Sequence, residues 1–135
     1  MIKWFEEHNK ISLIMTILIA IIIFYVSSLT FKPGIPGRFP WKSVAYHFYA
    51  FLFLAAFLLI SLTNGKHKNL IIIAVILGII YAISDEVHQL FVPGRAFAIS
   101  DILTDSAGIL FATLIYLSLR YNEFKKGDNE EGLYY

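Results

Sequence analysis

Four long apolar blocks, parted by short polar punctuation, constrain this chain more than any other feature. Ile11 to Leu29 is about nineteen residues without a charge, close to the roughly 20 that a helix needs to cross a hydrocarbon core of about 30 Å. Val44 to Leu62 is a second such block, broken near its start only by Tyr46, His47 and Tyr49 and closed by the turn signal Asn64-Gly65. The third begins at Leu70, but its charge-free run stops at Ser84, too soon to span alone. It therefore has to continue through Asp85-Glu86-Val87-His88-Gln89 to Val92, where Pro93-Gly94 stops it because proline lacks the amide proton a helix needs. The fourth runs from Ser100 to Leu119, with Ser100 or Asp101 as N-cap and Arg120 suited to the helix C-terminus. Residues 120–135 read as a polar tail. The expected fold is all-α: one domain over 1–135, a polytopic membrane protein with a bundle of four transmembrane helices.

Composition supports lipid as the solvent. A soluble domain of 135 residues would spread its apolar residues at amphipathic spacing, and 58% hydrophobic with 16% charged is too apolar for one. Net charge is +1 with no strong basic run, which excludes a nucleic-acid partner, since phosphate binding needs a positive field. The absence of cysteine removes disulfides and thiolate metal sites. Ser27-Ser28-Leu29 only weakly imitates a signal-peptide cleavage site, so the first block is read as a retained span.

Four spans put both termini on one side. Lys3, Lys10, Lys66, Lys68, Arg120, Lys125 and Lys126 then share a face, against Lys32, Arg38, Lys42 and Arg95 on the other. The positive-inside rule makes the first set, and both termini, cytoplasmic. The loops 30–43 and 93–99 are then expected to face outward.

In that arrangement the ionisable residues of three helices gather at one depth. His47 lies near the outer start of the second helix, Asp85 to Gln89 near the outer end of the third, and Asp101 and Asp105 at the start of the fourth. At about 1.5 Å per residue, His88 and Asp85 are expected roughly 6 and 10 Å inside Val92. Ionisable groups at that depth are costly and point to a functional site. Helical spacing sets Gly78, Tyr81, Ala82, Asp85, His88 and Gln89 on one face, with Glu86 about 100° round from Asp85. Asp101, Asp105, Gly108 and Ala112 form a second stripe, whose Gly108 and Ala112 permit close helix approach. The two stripes are expected to face each other. Trp4 and Trp41 read as interfacial belt residues, and His67 between Lys66 and Lys68 as a solvated loop residue.

These residues carry a resemblance. Ser27-Ser28 before a proline-bearing loop, Tyr46-His47-Phe48, Ser84-Asp85-Glu86-Val87-His88-Gln89 with Phe91-Val92-Pro93-Gly94-Arg95, and Asp101 followed by Asp105 and Gly108 resemble the VanZ-like membrane proteins, a family named for a member associated with teicoplanin resistance. The block from Asp85 to Arg95 is the specific part. Asp105 departs from the family pattern, which commonly has asparagine there, and so adds a negative charge. The resemblance implies a cell-membrane location and glycopeptide tolerance; it implies no settled reaction.

Two classes of function fit the residues. As an enzyme, the chain would use His47, Asp85, Glu86, His88 and Asp101 for general acid and base work, or His47, Glu86, His88 and Asp101 as ligands of a divalent metal. Gln89, Arg95 and Asp105 would then bind substrate, with the planar fork of Arg95 on an anionic headgroup or serving only as an interfacial anchor. The substrate would be a membrane lipid or a lipid-linked cell-wall precursor in the outer leaflet. As a binding protein, the chain would hold a lipid or glycopeptide without chemistry. No His-Glu-x-x-His, Walker or nucleophile-elbow motif decides between them. The topology is testable: of single cysteines at Gly37 and Gly65, an impermeant thiol reagent on intact cells is expected to label only the first, and labelling of the second alone would place the polar site at the cytoplasmic face.

Overall fold

The computed structural model describes residues 2–30 and 41–131, with side chains described through Lys125. Lys32, Gly37 and Arg38 of the first loop lie outside the described residues. Five α-helices follow in order: α1 Ile2–Glu7, α2 Asn9–Ser27, α3 Trp41–Thr63, α4 Leu70–Gln89 and α5 Ile99–Glu131. The last four include candidate spans over Asn9–Ser27, Trp41–Thr63, Leu70–Gln89 and Ile99–Lys125, each long and apolar enough to cross a membrane.

Three boundaries differ from expectation. The third helix stops at Gln89 and not at Val92; Leu90 to Val92 continue as single turns, their amides bonded to the carbonyls of Val87, His88 and Gln89. The fourth span begins at Ile99, and the amides of Asp101 and Ile102 bond to Ala98 O, so Ala98 occupies the capping position that the sequence suggested for Ser100 or Asp101. Arg120 does not end that helix, which runs on to Glu131 through the stretch read as a tail. A short helix, α1, also precedes the first span and was not expected.

The solvation pattern is that of a membrane protein. Large apolar side chains cover the outside, with Ile21, Ile72, Leu114 and Phe91 all more than half exposed. Such a surface in water would far exceed the few hundred Å² that soluble monomers leave open. Inside, each spanning helix buries a stripe that mixes apolar and polar residues at three- and four-residue spacing. On α2 the stripe includes Ser12, Thr16, Ile23 and Ser27; on α3, His47, Phe51, Leu54, Ala55, Leu59 and Thr63; on α4, Ala74, Gly78, Ala82, Asp85, Glu86 and Gln89. On α5 it runs Asp105, Ile109, Ala112, Tyr116 and Arg120. Trp4 and Trp41 are both exposed, Trp4 on α1 and Trp41 at the start of α3.

The central helix is α3. It packs on α2, α4 and α5, and α4 also packs on α5, whereas α2 and α5 do not meet among the described residues. Gly108 explains the closest of these contacts. A Cβ there would sit 2.4 Å from Phe48 O and 3.1 Å from Leu52 N, so only glycine lets the backbones of α5 and α3 come so near. The stripe containing Gly108 thus rests against α3, a correction to the expectation that it would face α4. Gly65 is less suited than the exposed Lys66 to carry a labelling cysteine, because a Cβ at Gly65 would lie 2.5 Å from Arg120 Nη2.

Backbone cannot yield as a side chain can. Gly108→Ala is expected to lower the thermal stability of the detergent-solubilised protein by about 1–3 kcal/mol, the usual cost of overpacking. Gly78→Ala, whose new methyl meets side-chain and not backbone atoms, those of Ile109 at 3.2–3.5 Å, is expected to cost distinctly less. Thermal unfolding of the two variants side by side checks this.

Candidate functional site

The end of the bundle where α3 and α5 begin and α4 ends holds an unusual concentration of buried polar groups. His47, Glu86, Gln89 and Asp105 are at most 2% exposed and Asp85 is 4% exposed. His47 lies six residues into α3 and Asp105 six into α5, about 9 Å along each helix. The two meet directly. The imidazole Nδ1 donates to Asp105 Oδ1 at 3.0 Å, and Nε2 faces Asp101 Oδ2 at 3.6 Å, so one ring sits between two carboxylates of α5. Asp105 Oδ2, also buried, has no hydrogen-bond partner among the described residues; neither have Ser27 Oγ and Tyr46 Oη.

A second group lies on α4. Gln89 Nε2 donates to Asp85 Oδ2 at 3.1 Å and to Glu86 Oε1 at 3.0 Å, so a single amide serves both carboxylates. The other oxygen of Glu86 accepts from the backbone amide of Ala98 at 2.9 Å. This contact explains why Glu86 is fully buried although it lies off the Asp85 stripe. The helix ends one turn later, and the returning 90–98 segment covers that side.

The return is a tight turn. Val92 O accepts from Arg95 N at 3.1 Å, Pro93 occupies the second position and Gly94 the third with φ +80°. A type II turn needs positive φ there, which glycine supplies without strain. The turn sends Arg95 back across the end of α2. Its Nη2 and Nε donate to Val26 O at 3.1 Å and Leu29 O at 3.3 Å, carbonyls at the end of that helix, the first of which also accepts from Leu29 N, and Nη1 donates to Gln89 Oε1 at 3.3 Å. Arg95 therefore caps α2 and, through Gln89, supports the α4 carboxylates.

The expected residues are thus only partly gathered. His47, Glu86 and Asp105 offer ligand atoms that all lie within 4.8 Å of one another, with Asp101 beside His47. Asp85 and Gln89 adjoin Glu86. His88 is placed elsewhere: its Nε2 pairs with Ser28 Oγ at 2.9 Å and its ring lies 4.5 Å from that of Phe24, on the α2 side. Of the four metal candidates expected from the sequence, His47 and Glu86 join the close set, and Asp105 stands where His88 was expected.

Beside the cluster an apolar groove of about 710 Å³ opens between α2 and α3. Its α3 wall includes Lys42, Tyr46, Tyr49, Phe53 and Phe57, and Ile19 faces them from α2. From Lys42 to Phe57 it extends roughly 22 Å, more than one leaflet of a hydrocarbon core. Tyr46 lines the groove while His47, next in sequence, points into the cluster.

The far end of the bundle carries a polar group that the sequence reading missed. Arg120 is 5% exposed, with Nε 3.3 Å from Glu6 Oε1, Nη2 2.8 Å from Glu123 Oε2 and 2.9 Å from Gly65 O. Tyr116 Oη donates to Glu6 Oε1 at 3.0 Å and pairs with Thr63 Oγ1. The signal was the continued four-residue spacing Ala112, Tyr116, Arg120, which keeps Arg120 on the buried face.

Gln89 carries the α4 carboxylates, which gives a prediction. Gln89→Leu removes the donor from two buried carboxylates at once, each lost partner costing about 1–3 kcal/mol. Folded yield in membranes and detergent melting temperature are expected to fall together, whereas His88→Asn, on the half-buried α2 side, leaves both near normal.

Comparison with curated proteins gives no match, and comparison with solved structures gives none. The family model described as VanZ/LLP1 matches residues 7–120, a range that takes in all four spanning helices up to Arg120 and every residue of the polar cluster. The chain belongs to the VanZ/LLP1 family.

Proposed function

We propose that this membrane protein handles a lipid or lipid-linked cell-envelope molecule from the outer leaflet, seating its apolar chain in the α2–α3 groove and its polar end at the His47 cluster. The observation that carries the proposal is the adjacency of Tyr46 and His47: consecutive residues, one lining an apolar groove and the other held between Asp101 and Asp105. A ligand that is both apolar and polar fits that junction; a soluble metabolite has no use for the groove. Lys42 on the groove wall favours an anionic headgroup over a neutral one. His47 is suited to exchange a proton, with Asp105 holding the ring by its Nδ1–H and leaving Nε2 on the Asp101 side.

Non-catalytic binding has one observation in its favour. Glu86 is bonded on both oxygens and Asp85 on one, so these carboxylates are arranged for holding more than for proton transfer. In either form the expected phenotype is tolerance of a glycopeptide such as teicoplanin, through an altered envelope lipid, and the sidedness is that of cytoplasmic termini.

Two substitutions test the proposal. Ala50→Trp fills the groove without touching the cluster, and native mass spectrometry of the detergent-extracted protein is expected to show loss of a retained lipid. Glu86→Gln removes the charge and turns one amide NH2 toward Gln89 or Ala98, and the variant that reaches the membrane folded is expected to lose tolerance. Unchanged lipid retention in folded Ala50→Trp, together with normal tolerance in Glu86→Gln, counts against the proposal.

A further inference from the structure

We propose that His47, Glu86 and Asp105 bind a single divalent metal ion of the zinc type. The three residues come from three different helices, α3, α4 and α5, and are all buried. One ligand atom from each lies within 4.8 Å of the other two. Zinc bonds of about 2.0–2.2 Å in a tetrahedral arrangement place donor atoms roughly 3.3–3.6 Å apart. His47 Nδ1 and Asp105 Oδ1 are already at 3.0 Å; the ion takes the place of the proton now held between them, the imidazole turning to its Nε2–H tautomer, and the remaining approach is within the reach of a carboxylate rotation. A nitrogen donor with two carboxylates favours zinc or manganese over magnesium and calcium, which prefer oxygen and water.

The independent observation is Asp105 Oδ2: a carboxylate oxygen on a residue with no exposure, without a hydrogen-bond partner among the described residues. An oxygen so placed at hydrocarbon depth is stabilised by a cation far more than by any neutral donor. Glu86 and Asp105 reach the same point from different helices, and Asp101 stands 3.6 Å from the other ring nitrogen, where it can accept that N–H and orient the imidazole. Metal entry needs a neutral imidazole and ionised carboxylates, so protons leave as the ion binds. The ion is held by side chains alone and needs no lipid in the groove.

Full-length protein purified in detergent from metal-replete cells is analysed for bound elements, then stripped with a chelator and titrated with zinc or manganese. Wild type and His88→Asn are expected to carry one ion per chain, and Asp105→Asn and Glu86→Gln to fall to background while remaining monodisperse and helical. Chelation is expected to lower the melting temperature of wild type, and added zinc or manganese to restore it. Wild type with no ion above background after titration, or folded Asp105→Asn retaining a full equivalent, overturns the proposal. Should both variants fail to fold, the wild-type melting curve decides: no shift on chelation and none on re-addition overturns it equally.

Discussion

A carboxylate at hydrocarbon depth has no water to solvate it, and each of the buried acids in this bundle must be answered by a donor or a cation from the protein itself. The architecture at the site end follows from that requirement. Asp105 is answered on one oxygen by His47, which fixes the rotation of α3 against α5. Asp85 and Glu86 are answered by one glutamine amide, and the backbone of Ala98 closes on Glu86 from the returning loop. The apolar exterior offers no such specificity, since Ile and Leu meet lipid equally well at any rotation. Polar contacts therefore decide register in a bundle whose helices gain little from the hydrophobic effect against one another.

The same constraint is met at the opposite end with different chemistry. Arg120 is long enough to reach Glu6, Glu123 and the carbonyl of Gly65, tying α1, α5 and the α3–α4 turn together. That end is the more fully neutralised: the guanidinium faces two acids, and Tyr116 and Thr63 complete the contacts. At the site end Arg95 is turned to the α2 carbonyls and to Gln89. Asp105 Oδ2 is left without a partner there. Arg120 Nε also lacks a hydrogen bond, but it lies 3.3 Å from Glu6 Oε1, inside an ion pair. At the site end the carboxylates of Asp85, Glu86 and Asp105 are served by neutral donors and one imidazole, which is the physical ground for assigning function to it.

The contrast also explains what could be read from sequence. Four spans were legible because apolar length is a one-dimensional property, and the common depth of His47, Asp85 and Asp101 followed from counting residues along antiparallel helices. Which groups touch depends on helix rotation and neighbour order, and neither is written in the span lengths. Gly108 pairs α5 with α3 through a backbone approach, which turned Asp105 toward His47. Glu86 lies off the Asp85 face but one turn beyond Ala82, and it is buried between His47 and Asp105 on one side and the returning loop at Ala98 on the other. His88 keeps its place on the helix but faces Ser28 and Phe24, a neighbour relation that only the position of α2 decides. A cation at position 120 suits the end of a helix, yet the helix continues past it and presents the guanidinium inward.

Groove and cluster share one turn of α3, and this couples them. Tyr46 and His47 lie about 100° apart on the helix, so one backbone segment supports both a groove wall and the imidazole of the cluster. An occupant that presses on Tyr46 acts on the segment that holds His47 between Asp101 and Asp105. The 3.0 and 3.6 Å separations are close enough that a small displacement of the ring toward Asp101 exchanges its closer carboxylate. Gly108 restrains that displacement from the other side, because it rests on Phe48, the next residue along. Groove occupancy, imidazole position and the α3–α5 contact are thereby three readouts of a single helical turn, and a change imposed at one should be felt at the other two.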